Sequence, residues 1–493
     1  MRDPFFIPGM LFRSALFVVA ILCIQRKITY PLLSKSIVGS FFLNSLRSKI
    51  PNLNLIQKTL LFIMISILWI LSPGLIIFFM LVLTTYFYLG KKNNPFLTKL
   101  FAYNLAIRIF IALFILNLAM TFNNVEIADL HKGPAIPLFG DAAYYLIRGF
   151  FMAKYHWGTL TNYVRMAEWH VYGDTFYIHL IGWIYYFFGY CPEVITLLNC
   201  WVGALLPLVI YQISIQLMPP APARYAAILT SIFPSLFILS VLTLKDLWFI
   251  FFLYLIFLYL LKLVKSFNPF FVIPLFISIF FASVFRQEFS PILLTGLTLL
   301  SFFTALPVQR HRKWLALGIA CSLLVLVKPF IVFQLQTSIQ SHLKIFYSKH
   351  VSYNMSGGQS YKILPTNYYA NKGNFDFDKE VIPFKSHIAI FSTGVFHLFF
   401  QPNLLKKWTF KTILFVPQVL LWYFLFGCTC LGLYDFLNHR FRFSFFLFFL
   451  PIILGLAIGS GNVGTLIRHR EMLTPFMIIL GVFGYYKIQM HIR

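Results

Sequence analysis

Long apolar blocks separated by short basic or polar breaks run along this chain almost from end to end. A helix that crosses a bilayer needs about 20 consecutive apolar residues. By that measure 100–120, 194–217, 225–243, 247–264, 270–285, 289–306, 314–332, 412–434, 443–460 and 472–486 are predicted spans. The block 59–90 is too long for one crossing, since ~32 residues at 1.5 Å each reach about 48 Å. Ser72-Pro73-Gly74 near its middle is turn chemistry, so a tight helical hairpin is predicted there. Two blocks of about 14 residues, 176–189 and 387–400, fall short of a crossing and are rich in aromatics, which favour the interface. They are predicted as in-plane juxtamembrane helices of the outer leaflet.

The expected fold class is therefore an all-α polytopic membrane protein with about 12 transmembrane helices, or about 13 if 9–24 also crosses. Four regions follow: 1–99, an amphipathic segment plus the hairpin; 100–332, a transmembrane core with a first outer loop at 121–193; 333–411, a second outer segment with its in-plane helix; and 412–493, the last transmembrane helices. The apolar stretch 9–24 is interrupted by Arg13 and no small-residue cleavage site follows it, so a cleavable signal peptide is not expected.

Composition agrees. The 493 residues are 59% hydrophobic and only 11% charged, with 60 Phe. Soluble domains carry about 25% charged residues. A soluble enzyme, a disordered chain and a disulfide-stapled secreted domain are excluded. The six cysteines (Cys23, Cys191, Cys200, Cys321, Cys428, Cys430) fall mostly within apolar stretches and form no CxxC, so neither a thiolate metal site nor a disulfide framework is expected.

The net charge of +26 would suggest nucleic acid on a soluble protein. Here it reads as the excess of Lys and Arg in cytoplasmic loops, and no nucleic-acid partner is expected. The basic breaks at 26–58, 90–95, 262–265, 310–313, 439–442 and 487–493 are placed inside, which leaves 121–193 and 333–411 outside. Of the 14 Asp and Glu, all but Asp3 and Asp435 then fall on or near the outer face. Lys406, Lys407 and Lys411 also fall outside; if 387–400 crosses instead, everything after it inverts.

The candidate chemistry lies along that face. Asp141 opens an amphipathic stretch with Tyr144, Tyr145, Arg148 and Phe151 at helical spacing. A carboxylate there is an ordinary helix cap, a general base for an acceptor hydroxyl, or a ligand for a divalent ion such as Mg or Mn. His156, Glu168, His170, Asp174 and His179 could form a metal site, although no spacing compels one. Lys245–Asp246 and Arg286-Gln-Glu288 stand at outer span ends, each with a local ion pair as the plain alternative. Arg468-His469-Arg470 precedes the last span.

The order of these features resembles the GT-C glycosyltransferases, in particular the bacterial branch related to dolichyl-phosphate-mannose protein mannosyltransferases. Asp141 in the first outer loop, the short apolar block 176–189 ending in Gly, the span holding Leu206-Pro-Leu208, Pro234, and Asp246 match in order. So does 461–470 with its arginines, followed by Pro475. Two departures stand out: Asp141 lies between Gly140 and Ala142 where many members carry paired acids, and Gly173-Asp174-Thr175 replaces a proline-rich lead into the short helix. The first makes a lone carboxylate base the simpler idea.

The resemblance implies an enzyme of the bacterial inner membrane that transfers a sugar from a polyprenyl-phosphate carrier to a lipid, glycan or protein acceptor on the outer side, among membrane lipids. Asp141 and Asp246 would be its catalytic acids, with Asp141 the possible metal ligand. Arg468, Arg470 and Lys245 would hold the lipid phosphate, with Arg286, His469 and Tyr144 as further substrate contacts. Two rivals stand beside it. A polysaccharide polymerase or ligase acting on pyrophosphate-linked glycans would place its critical residues in the second outer segment. A lipid-sugar flippase or transporter would show charges at mid-membrane depth and paired broken helices.

Overall fold

The computed structural model describes residues 74–123, 140–156, 176–266, 268–286, 293, 296, 339–355, 360–370, 384–401, 410–438 and 440–492. The first arm of the 59–90 hairpin, the predicted spans 289–306 and 314–332, and most of the acids of 121–193 and 333–411 lie outside these residues.

Helices account for almost all of what is described, and no strand occurs among the described residues. In chain order they are α1 (Gly74–Lys91), α2 (Pro95–Asn123), α3 (Gly140–His156), α4 (Phe176–Phe188), α5 (Pro192–Leu217), α6 (Pro220–Ile232), α7 (Pro234–Val241) and α8 (Asp246–Ser266). A 3-10 turn at Pro269–Phe271 leads into α9 (Val272–Phe285). Then come α10 (Ile339–Met355), α11 (Asn367–Ala370), α12 (Phe384–Phe400), α13 (Phe410–Leu437), α14 (Arg440–Gly459), α15 (Val463–Arg470) and α16 (Thr474–Ile492). Five of these helices (α1, α2, α5, α8 and α13) are long and apolar enough to cross a membrane, and up to seven spans result if each of two bent pairs counts as one. The chain is thus an all-α protein with the helices of a multi-pass membrane protein.

One bent pair replaces a predicted straight span, and the other joins the predicted last span to the short helix before it. Block 225–243 is broken into α6 and α7, which meet at 53°. Pro234 lacks a backbone N–H and forces the residue before it out of helical geometry; Phe233 accordingly sits extended at φ −60°, ψ 121°. Block 472–486 becomes α16, reached from α15 through a 62° bend over Glu471–Leu473. A buried side chain satisfies that break. The Tyr254 hydroxyl donates to the Met472 carbonyl (3.0 Å) and accepts from the Phe476 N–H (2.8 Å). Gln418 of α13 ties the two breaks together, donating to Ser235 Oγ (2.8 Å) and to Glu471 Oε1 (3.2 Å).

Contacts divide the described chain into two compact units. The first holds the residues up to Trp201 with the turn Val241–Leu244. In it the Tyr145 and Tyr177 rings meet edge to face at 5.4 Å, joining α3 to α4. The Tyr177 hydroxyl donates to Asn199 Oδ1 (3.1 Å), and Asn199 Nδ2 donates to the carbonyls of Leu242 (2.6 Å) and Leu244 (3.2 Å). A fully buried amide therefore has three partners, as buried polar groups require.

The second unit holds Val202–Ser240 and Lys245 onward. Stacked rings of α8 and α9 pack its edge, with Trp248 on Phe285 (5.8 Å) and Phe252 on Phe281 (5.0 Å). α13 and α16 pack backbone against backbone at Gly432 and Gly484. A Cβ on Gly484 would lie 1.9 Å from the Cys428 carbonyl oxygen. Between helices already solvated by lipid, close backbone packing of this kind supplies association energy that apolar burial cannot.

Candidate functional site

The turn and helices around Ser460–Asn462 gather most of the singled-out residues of the second unit. Asp246 is the first residue of α8, where a helix N-terminus favours a carboxylate. Its side chain is fully buried. Arg286, at the end of α9, donates to Oδ1, and Arg468 of α15 donates to Oδ2. The three groups lie far apart in sequence, and a buried carboxylate is tolerable only with such partners. The Arg286 guanidinium also lies 5.9 Å over the Phe249 ring. Lys245, also buried, precedes Asp246 directly. Arg286 reaches Asp246, while Glu288, its local alternative, lies outside the described residues.

His469 extends the cluster. Its Nε2 lies 3.4 Å from Arg286 Nη1, and its Nδ1 lies 2.8 Å from Ser460 Oγ. Beside it opens a small pocket lined by Arg286, Phe346, Lys349, Tyr353, Gly455, Gly459 and His469. Three of its seven lining residues carry basic nitrogen and two present aromatic rings, so its chemistry suits an anion with a flat or apolar neighbour.

The pocket wall comes from α10, within the segment 333–411. Asn462 caps α15 by accepting from Thr465 N–H (2.7 Å) and donates to the Tyr353 carbonyl (2.8 Å). Asn354 donates to the Tyr361 carbonyl (2.8 Å), and Ser360 forms an isolated antiparallel bridge with Asn462. Gly461 must be glycine, because a Cβ there would lie 2.0 Å from the His350 carbonyl oxygen. His350 is fully buried; burial lowers its imidazole from the usual 6.5 to about 4, against a smaller opposing pull from the Ser460 carbonyl.

The other candidates lie elsewhere. Arg470 is two residues from Arg468, which on a helix puts it on roughly the opposite side. It is buried over the Trp422 ring (4.6 Å) and donates to the Gln401 carbonyl (2.7 Å), so the two arginines expected to act together are divided between different surroundings. Asp246, expected as a second catalytic acid, has both oxygens engaged by guanidinium groups and is closed off from water. That leaves it suited to orienting arginines rather than to taking a proton.

In the first unit, Asp141 is the second residue of α3, and Tyr144 lies one turn on, with the Arg148 guanidinium 5.0 Å over its ring. The Asp141 side chain lies outside what is described. Among the described residues no three His, Cys, Asp or Glu side chains converge as a metal site would need. Glu168, His170, Asp174 and Glu288 fall outside the described residues.

Sequence reasoning did not single out Lys349, His350, Ser460 or Gln418. The available signal was α10 itself, which carries His342, Lys344, Lys349 and His350 within an apolar chain. The chain matches no protein-family model, and no curated protein or solved structure is significantly similar to it.

Proposed function

We propose that this chain is an integral membrane glycosyltransferase of GT-C type, with about 12 crossings, that takes a sugar from a polyprenyl-phosphate carrier and passes it to an acceptor on the extracytoplasmic side. The observation that carries this proposal is the buried Asp246 carboxylate holding Arg286 and Arg468, with His469 and the Lys349-lined pocket beside them. A carrier of this class presents a phosphate at membrane depth, and fixed guanidinium and ammonium groups are the side chains that bind it. As the glycosyl bond breaks, negative charge grows on the departing phosphate, and preorganised cations stabilise that charge without reorganising. Asp246 fixes the guanidinium orientations. The base that takes the acceptor proton is assigned to Asp141.

The test is transfer by the purified protein from polyprenyl-phosphate sugars. Asp141→Asn should abolish turnover while the variant remains folded, and full retained activity would remove the assignment.

Two observations keep the rivals in the assay. Lys349 and Tyr353 belong to the second outer segment, where a polymerase or ligase would keep its critical residues, so pyrophosphate-linked glycans belong among the donors. The two broken helix pairs, tied through Gln418, are what a lipid-sugar flippase would carry. Lipid-sugar translocation in proteoliposomes without any transfer product would favour that reading.

A further inference from the structure

The histidines around Ser460 are held in defined protonation states by their partners. His350 Nδ1 faces the Ser460 carbonyl at 2.5 Å, which can only accept, so this nitrogen carries the hydrogen. Its Nε2 faces the Tyr369 hydroxyl at 2.9 Å. The Tyr369 oxygen already accepts from the N–H groups of Ile363 (3.0 Å) and Leu364 (3.1 Å), so its own hydrogen is directed to Nε2. His350 is therefore neutral, and a proton added at Nε2 would meet the hydroxyl hydrogen head-on.

His469 follows the same logic. Arg286 Nη1 can only donate, so Nε2 accepts and Nδ1–H donates to Ser460 Oγ, which donates onward to the Leu456 carbonyl (3.0 Å). Ser460 thus touches both imidazoles, through its carbonyl on one side and its hydroxyl on the other. The neighbours of His350 are Lys349 on its own helix, Tyr361, Lys362 and Tyr369 from the 360–370 segment, and His397 from α12, whose ring lies 4.4 Å from that of Tyr361. Among the described residues no carboxylate acts on it, and the Ser460 and Tyr361 backbone contacts offset only part of the cost of a charge on the buried ring.

We propose that His350 is a positioning residue that holds α10 as the wall of the pocket, and that its protonation releases this wall, so that anion binding weakens in acid. Lys349, next to His350, and Tyr353, one turn further on, then leave the pocket together with Phe346. The proposal rests on the reading above that the pocket takes a phosphate, and it concerns the regulation of that site.

The direction is opposite to the simple electrostatic expectation. Protonating histidines near an anion site adds positive charge and would strengthen binding. An imidazole that titrates at 6.5 when released and at about 4 when held moves the balance toward release by about 30-fold at about pH 5. The loss of affinity is therefore severalfold and bounded by about 30-fold.

The probe is inorganic sulfate, whose charge is constant across this range, titrated into the full chain in detergent micelles at about pH 7.5 and about pH 5. Wild type should bind sulfate at the higher pH and severalfold more weakly at the lower. His350→Asn keeps a donor for the Ser460 carbonyl but cannot be protonated, and should bind equally at both. No sulfate binding at the higher pH, equal or tighter binding by wild type in acid, or a parallel loss in wild type and His350→Asn would each overturn the proposal. Should the variant fail to fold, hydrogen exchange of wild type decides. Residues 360–370, corrected for intrinsic rates, should lose protection between about pH 7.5 and about pH 5, and unchanged protection sinks the latch. Sugar transfer is a separate readout: a chain that transfers no sugar but releases sulfate in acid keeps the latch and loses the glycosyltransferase reading, and the reverse outcome does the opposite.

Discussion

Replacing Asp246 by Asn tests the arrangement at the centre of the site. The substitution preserves volume and removes one negative charge that two guanidinium groups share. Removing one partner of a buried pair typically costs about 3 to 5 kcal/mol, because the other charge is left without compensation. The two arginines differ in how far water can substitute. Arg468 is 25% exposed and recovers part of its hydration, whereas Arg286 at 5% does not. Most of the cost therefore falls on Arg286, and about 3 kcal/mol is the expected loss. Arg468→Met alone leaves the Asp246–Arg286 pair in place and should cost about 1 to 2 kcal/mol. Combining Asp246→Asn with Arg286→Met removes the stranded charge, so the double variant should be more stable than the sum of the singles by about 2 kcal/mol. The measurement is reversible unfolding in mixed micelles, followed by circular dichroism, for the singles and the double. If Asp246→Asn unfolds within about 0.5 kcal/mol of wild type, or the double variant is simply additive, the carboxylate does not hold the two guanidiniums as argued.

Arg470→Lys should cost about 1 to 2 kcal/mol of stability through loss of the Trp422 ring contact and leave the KM for a lipid-phosphate donor unchanged, whereas Arg468→Lys should raise that KM; kinetics on both variants separate them. Gly484→Ala places a methyl where the Cys428 carbonyl sits and should lower stability by about 1 to 3 kcal/mol, read as a lower midpoint of thermal unfolding in detergent. Because the folded chain holds His350 at about 4 and the unfolded chain releases it to 6.5, the unfolded state binds more protons between these values. Its contribution, about 3 kcal/mol from that difference, is complete above about pH 6.5 and lost as the pH falls through about 4. Denaturation midpoints across this range should fall for wild type and stay flatter for His350→Asn.

How much of this was legible in the chain differs by element. The long helices α2, α5, α8 and α13 lie where the apolar blocks place them, and α4 is the short helix predicted at 176–189, because lipid requires every backbone group to be satisfied within the segment. The break at Pro234 was not legible, and the one at Glu471–Leu473 falls at the predicted start of the last span without its bend being foretold. Pro234 offered a signal that the 225–243 block leaves open, since prolines also sit inside α5, α13 and α14 without dividing them. The bend at Glu471–Leu473 needs the Tyr254 hydroxyl, 218 residues away from Met472, to stand in for the missing helical partners.

The candidate site divides in the same way. That Asp246, Arg286, Arg468 and His469 were worth naming followed from the sequence alone, because ionisable residues are costly in an apolar chain and persist where they do something. Which of them meet was decided by the fold. Two-residue spacing on α15 sends Arg468 to Asp246 and Arg470 to Trp422, and a motif read as one unit becomes two. Lys349 and His350 gain their significance only from the turn that Gly461 allows to press against α10. Sequence determined the class of solvent this protein meets and the residue types it could not carry for nothing. Tertiary structure decided the partnerships, because the free energy of a buried charge depends on the groups brought within a few ångströms of it, and those come from distant parts of the chain.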